Sequence, residues 1–174
     1  MKTSGYIPLY KTIVLTMLRK AEVVLTRAQV MDFVLEAGYT DYMTLQEVIA
    51  ELVSQALLRE ETEGGRTFLH LTKEGQETID ALQESLRADI IRQIDDYLTK
   101  NRLQMRNEAS LRGDYTRRAD GTYEVRCDAY ENGRRLYGLI IEAPTEDAAL
   151  GMIDAWKKQS GEIYADLVAR LGSE

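Results

Sequence analysis

The chain has 174 residues, 44% of them apolar, and 29 acidic against 22 basic side chains give it a formal charge of −7. Such a composition can bury one substantial core or two modest ones. It excludes a disordered chain and a general coat for nucleic acid or membrane, because a uniformly acidic surface repels phosphate from a distance.

A first helix is predicted from near Pro8, where proline suits an opening turn, to about Lys20, with Leu9, Ile13 and Met17 on one apolar stripe beside Val14 and Leu18. Val23 to Leu25 read as a short extended piece. Thr26 and Gln29 then match the reciprocal capping pattern, in which each side chain satisfies a free backbone N–H at a helix start. The second helix places Val30, Phe33, Val34 and Ala37 at i, i+3, i+4 and i+7, and Gly38 supplies the left-handed residue that ends it after Ala37.

After a linker from Tyr39 to Met43, Thr44 and Glu47 repeat the capping signature. Leu45, Val48, Ile49, Leu52 and Val53 form the buried stripe of a third helix over 44–54, leaving Thr44, Gln46, Glu47, Ala50, Glu51 and Ser54 outward. Strands are expected at Leu57 to Glu61 and Arg66 to Leu71, joined by Glu63-Gly64-Gly65, where positive φ costs little. Thr72 caps a further helix carrying Ile79, Leu82 and Leu86. A second stripe at Ile90, Ile94, Tyr97 and Leu98 extends that helix or follows a break near Ser85, and the helical pattern stops at Asn101.

From there the period changes. Tyr123, Val125, Cys127 and Ala129 alternate with polar residues, and the turn dipeptides Asp120-Gly121 and Asn132-Gly133 flank them. Strands near Ser110–Arg118, Thr122–Tyr130 and Arg135–Glu142 should form a three-stranded antiparallel meander. Pro144-Thr145 opens a helix with Ala149, Met152, Ile153 and Trp156, and after a break at Ser160-Gly161 a last helix aligns Ile163, Leu167 and Leu171. The expected architecture is α+β: a winged helix-turn-helix domain over 1–84, a helical connector over 85–104, and over 105–174 a three-stranded antiparallel sheet packed with C-terminal helices, serving dimerisation or sensing.

No catalytic residue, metal ligand or cofactor site is expected, and the chain is not read as an enzyme. His70 and Cys127 are single residues of their kinds, so neither a Cys–His nucleophile pair nor an ordinary zinc set assembles unless the two meet. Cys127 falls in the inward register of its strand and should pack in a core, while His70 is expected on a solvated strand or edge. The acidic pairs Glu60-Glu61 and Asp95-Asp96 read as solvated charge. Met1 to Pro8 lack the basic segment and apolar run of a secretory leader, and no stretch nears the roughly 18 apolar residues of a bilayer crossing, so a cytoplasmic protein is expected.

Helix–turn–helix followed by a hairpin is most often a reader of double-stranded DNA. Thr44 and Gln46 on the third helix are the candidate base-facing residues, and Arg27, Arg59, Arg66 and Lys73 the candidate phosphate contacts. Glu47 and Glu51 oppose them, and residues 1–80 hold 8 basic against 12 acidic side chains, a net of −4. Paired half-sites favour a homodimer. The competing expectation is a protein-interaction adaptor whose winged helix never meets nucleic acid. Tyr39 and Tyr42, whose hydroxyls could reach a DNA backbone from the turn before the third helix, should instead wedge that turn against the core. Arg112, Arg117, Arg118, Arg126, Arg134 and Arg135 make a basic run, but residues 106–142 hold 7 basic and 7 acidic side chains, so a salt-bridged solvent face is expected there.

The run LTRAQVMDFVLEAGYTDYMTLQEVIAELVSQALL, with LTKEGQETI after it and SGEIYADLV near the end, resembles the uncharacterised family of Gram-positive bacterial proteins labelled domain of unknown function 4364. The resemblance spans almost the whole chain, and through the helix–helix–hairpin segment alone it reaches more distantly to PadR-type winged regulators. It implies a winged-helix transcriptional regulator and supplies no catalytic or ligand residues to carry across.

Overall fold

The computed structural model describes residues 7–82 and 85–172. Among them run seven helices and six strands: α1 (Ile7–Lys20), β1 (Leu25–Thr26), α2 (Arg27–Glu36), α3 (Tyr42–Ser54), β2 (Leu58–Glu63), β3 (Arg66–Leu71), α4 (Lys73–Leu82), α5 (Ala88–Lys100), α6 (Arg102–Ser110), β4 (Leu111–Arg117), β5 (Tyr123–Glu131), β6 (Arg134–Ala143) and α7 (Glu146–Leu171). The class is α+β, with two separate three-stranded antiparallel sheets. Two compact units divide the chain, one ending at Thr62 and resuming over Arg66–Met105, the other formed by Glu63–Gly65 and everything from Arg106 onward. No helix among the described residues is long and apolar enough to cross a membrane.

In the first unit the predicted stripes become one core. Ile13, Val14 and Met17 of α1 are fully buried with Val30 and Val34 of α2, Leu45, Ile49 and Leu52 of α3, and Ile94 of α5. The reciprocal cap at the start of α2 is present in both halves: Gln29 donates its backbone N–H to Thr26 Oγ1 at 3.2 Å, and Thr26 N–H donates to Gln29 Oε1 at 2.9 Å. Thr26 thus both caps the helix and ends β1, which pairs with β3 through Leu25↔Leu69 and Thr26↔Phe68 in a sheet of order β1-β3-β2. Gly38 closes α2 at φ +69°. The end of α3 uses the same device with a residue less suited to it: Ala56 sits at φ +57°, and its N–H and that of Leu57 bond back to Val53 and Leu52 carbonyls at 2.9 Å each. Thr72 caps α4, accepting from Gly75 N–H at 3.0 Å.

The second unit is the predicted meander, order β4-β5-β6, with Leu111↔Ala129 through Arg117↔Tyr123 on one side of β5 and Tyr123↔Ala143 through Ala129↔Tyr137 on the other. Asn132 and Gly133, at φ +51° and +74°, form the two-residue β5–β6 turn whose two left-handed positions match strand twist. Val125, Cys127 and Ala129 face α7, whose Ala149, Ile153 and Trp156 close the core. The helix lies so near β4 that a Cβ on Gly113 would stand 2.6 Å from Ile153 Cγ2.

Three expectations need correction. The helical pattern does not stop at Asn101, because α6 follows at once; it presents little apolar surface, with Met105 and Ala109 its buried residues. The C-terminal region is not two helices broken at Ser160-Gly161 but one helix of 26 residues, capped by Thr145. Through that point Trp156 Nε1 donates to Tyr137 Oη at 3.2 Å, Tyr137 Oη donates to the Ser160 carbonyl at 2.8 Å, and the Tyr137 and Tyr164 rings stack at 5.4 Å. Tertiary contact on both sides of the glycine holds the helix together. The third correction, the start of α3, bears on the candidate site.

Candidate nucleic-acid interface

The cap of α3 is Asp41 and not Thr44. The Asp41 side chain accepts from Thr44 N–H and from Thr44 Oγ1, both at 2.9 Å, and these bonds, the backbone one first, hold its carboxyl below the usual range. The helix therefore begins earlier than expected. Thr44 becomes its third residue, buried and turned back onto its cap, so it does not face outward as the sequence spacing predicted. Its place at the exposed opening turn is taken by Tyr42 and Met43, 54% and 67% exposed. Tyr42 thus does not wedge the turn; Tyr39 does, tilted against Phe33 at 6.0 Å while its hydroxyl donates to Gln93 Oε1 at 2.7 Å.

Gln46, one turn on, joins two elements. Its amide nitrogen donates to Tyr42 Oη at 2.6 Å, and its amide oxygen accepts from Arg27 Nη2 at close range. The other arm of the Arg27 guanidinium donates to Glu60 on β2 at 2.9 Å. Arg27, at the start of α2, and Gln46 are thus brought together as candidate contacts, with the amide oriented by a planar fork that a lysine would not provide.

The remaining candidates are spread out. Arg59 lies on β2, 3.6 Å from Glu61, which also stands 2.8 Å from His70 Nε2. Arg66 is half-buried at the start of β3, and Lys73 lies beyond its other end, ~17 Å of strand away, 3.9 Å from Glu77. Lys11 reaches across from α1 to Glu51 at 2.6 Å. Arg27, Arg59, Lys73 and Lys11 each have a carboxylate beside them. Sequence reasoning read Tyr42 as a turn wedge and Glu60 as solvated charge; the signal for an exposed Tyr42 was present, since Asp41 three residues before Thr44 is itself a capping pattern.

Elsewhere the basic run of the second unit carries the expected salt bridges. Arg118 spans Glu124 at 2.6 Å and Glu142 at 2.9 Å, which holds the Glu124 carboxyl below its usual range, and Arg135 reaches Asp128 at 3.3 Å. Arg112 differs: its side chain is only 9% exposed, 2.7 Å from Glu63, with the guanidinium 4.4 Å over the Tyr130 ring. Among the described residues no group of three or more His, Cys, Asp or Glu side chains is placed to hold a metal ion. Cys127 is core, as expected; burial first, then the nearby Asp128 charge, push its thiol up to about 11.

Comparison with curated proteins and with solved structures found no match. The model of one family does match, over residues 10–171 and hence through both units: the chain belongs to the family described as domain of unknown function 4364.

Proposed function

We propose that the first unit is a winged helix-turn-helix, with β2–β3 as the wing, and that the protein is a DNA-binding transcriptional regulator acting as a homodimer. The element order α1-β1-α2-α3-β2-β3 and the sheet order β1-β3-β2 support the fold reading. The observation that carries the DNA reading is the Arg27–Gln46–Tyr42 chain on the outer side of α3. A glutamine amide held by two neighbours is preorganised to face an adenine edge. Arg27, half satisfied by Glu60, is placed to exchange that carboxylate for a backbone phosphate. Arg66, Arg59 and Lys73 supply further phosphate contacts from the wing and the start of α4.

A second reading, the protein-interaction adaptor, has its own support in the exposed Tyr42 and Met43 beside acidic Glu47 and Glu51, since aromatic and methionine side chains are enriched at protein interfaces. Selection of genomic fragments by the purified protein separates the two. On a selected fragment, Arg66→Ala should weaken binding to every probe alike, about tenfold or less, whereas Gln46→Ala should relax preference at one base position. Selection of no fragment above background would leave the adaptor as the standing reading.

A further inference from the structure

The sheet of the second unit ends on a bare edge. Its order β4-β5-β6 leaves one side of β6 unpaired among the described residues. Proteins normally blunt such edges with charges, proline, bulges or short strands. β6 carries a bulge opposite Ala129 and Tyr130, but from Tyr137 to Ala143 it runs in unbroken register with β5. That stretch has no proline and a single charged residue, Glu142. Ile140 is 62% exposed on it and Ile141 is exposed as well, and Leu136, the bulge residue just before it, is also exposed. Gly138 brings no side chain of its own to the middle of the edge, and the Asp128 carboxylate of β5 lies over it where a Cβ would stand.

Resting on the homodimeric reading above, we propose that β6 pairs antiparallel with β6 of a second copy, about a two-fold axis at Gly138. The strand is electrically polar, opening with Arg134 and Arg135 and closing with Glu142. Antiparallel self-pairing sets each basic end beside the other copy's acidic end, whereas a parallel pairing would stack like charges. About Gly138, Leu136 of one copy meets Ile140 of the other, twice, and Arg134 meets Glu142, twice. The bulge offsets the arginine end by one residue, a distance the long arginine side chain spans. Glu142 takes Arg118 on one oxygen, at 2.9 Å, and has a second oxygen to offer. The same chemistry argues against a foreign peptide of uniform charge, which would match one end of the strand and oppose the other.

Sedimentation equilibrium of the full chain, without DNA, tests the pairing. The wild type should show twice the chain mass. Ile140→Lys should weaken self-association by about tenfold or more with an unchanged far-ultraviolet circular dichroism spectrum. Arg134→Glu, a surface change that spares the core, should weaken it too, and Arg134→Glu combined with Glu142→Arg should recover much of the loss. A wild type that is monomeric at every concentration overturns the pairing, as does a dimer that these variants leave intact. A dimer dissolved by these variants upholds the pairing even if it binds no DNA, which would count only against the DNA reading.

Discussion

Cys127 shows how far one side chain's chemistry is set by its neighbours. It is the chain's only cysteine, 1% exposed in the second core, with its thiol pushed to about 11 against an ordinary 9.0. The thiolate is the nucleophile, so in the native protein Cys127 should react with a disulfide reagent orders of magnitude more slowly than in denaturant, at a rate set by opening of the fold. Measured thiol release against denaturant would check this; rapid reaction of the native protein would place the sulfur at the surface. A pH dependence follows with a definite sign. Because the folded state keeps its proton longer, stability is at its full value below pH 9 and falls as pH rises towards 11. Cys127→Ala should flatten that limb in thermal melts. A smaller fall above pH 10 should persist, since burial also raises the Tyr130 and Tyr137 hydroxyls.

Among the elements, α7 yields the clearest test. Gly161 lies inside it in an exposed position where an added Cβ would meet nothing within 4 Å. Glycine in a helix interior costs roughly 0.5–1 kcal/mol relative to alanine, so Gly161→Ala should stabilise by about that amount in urea titrations with an unchanged m-value. A loss of stability would mean that the chain breaks there after all. Much of the element pattern was legible because local chemistry and tertiary packing agree: the Thr26–Gln29 cap, Gly38, the Asn132-Gly133 turn and the alternation around Cys127 all sit where their residues require. Where they diverge, sequence reading fails. Ser160-Gly161 is a local break signal overridden by the Tyr137, Trp156 and Tyr164 contacts. The polar Arg102–Ser110 segment buries too little for its periodicity to show. At the candidate site the sequence picked out Arg27 and Gln46, but a cap three residues early turned Thr44 inward and Tyr42 outward, and side-chain partners such as Glu60 leave no trace in spacing.

At the scale of the molecule, the charge of −7 and the pairing of cations with carboxylates limit the DNA contact proposed above. Four cations per subunit, Arg27, Arg59, Arg66 and Lys73, set an upper limit of roughly −3 to −4 per subunit on the slope of log affinity against log salt. Since Arg27, Arg59 and Lys73 must leave internal carboxylates to meet phosphate, fewer ions are released and the slope should be shallower still. A salt series on a selected fragment measures it, and a markedly steeper slope would show that cations outside this set carry the contact. Specificity is then expected to rest more on groove contacts than on bulk attraction, as the acidic balance requires.

Ala56, at φ +57°, stands at the joint between α3 and the hairpin that follows. Holding an alanine left-handed costs about 1 kcal/mol that glycine would avoid. In return the methyl group shuts off most of the backbone angles a glycine would wander through, so the hairpin leaves the helix along one heading. The strain is exchanged for stiffness: in the proposed winged helix, the helix and hairpin offered to one target are joined by a bracket and not by a hinge.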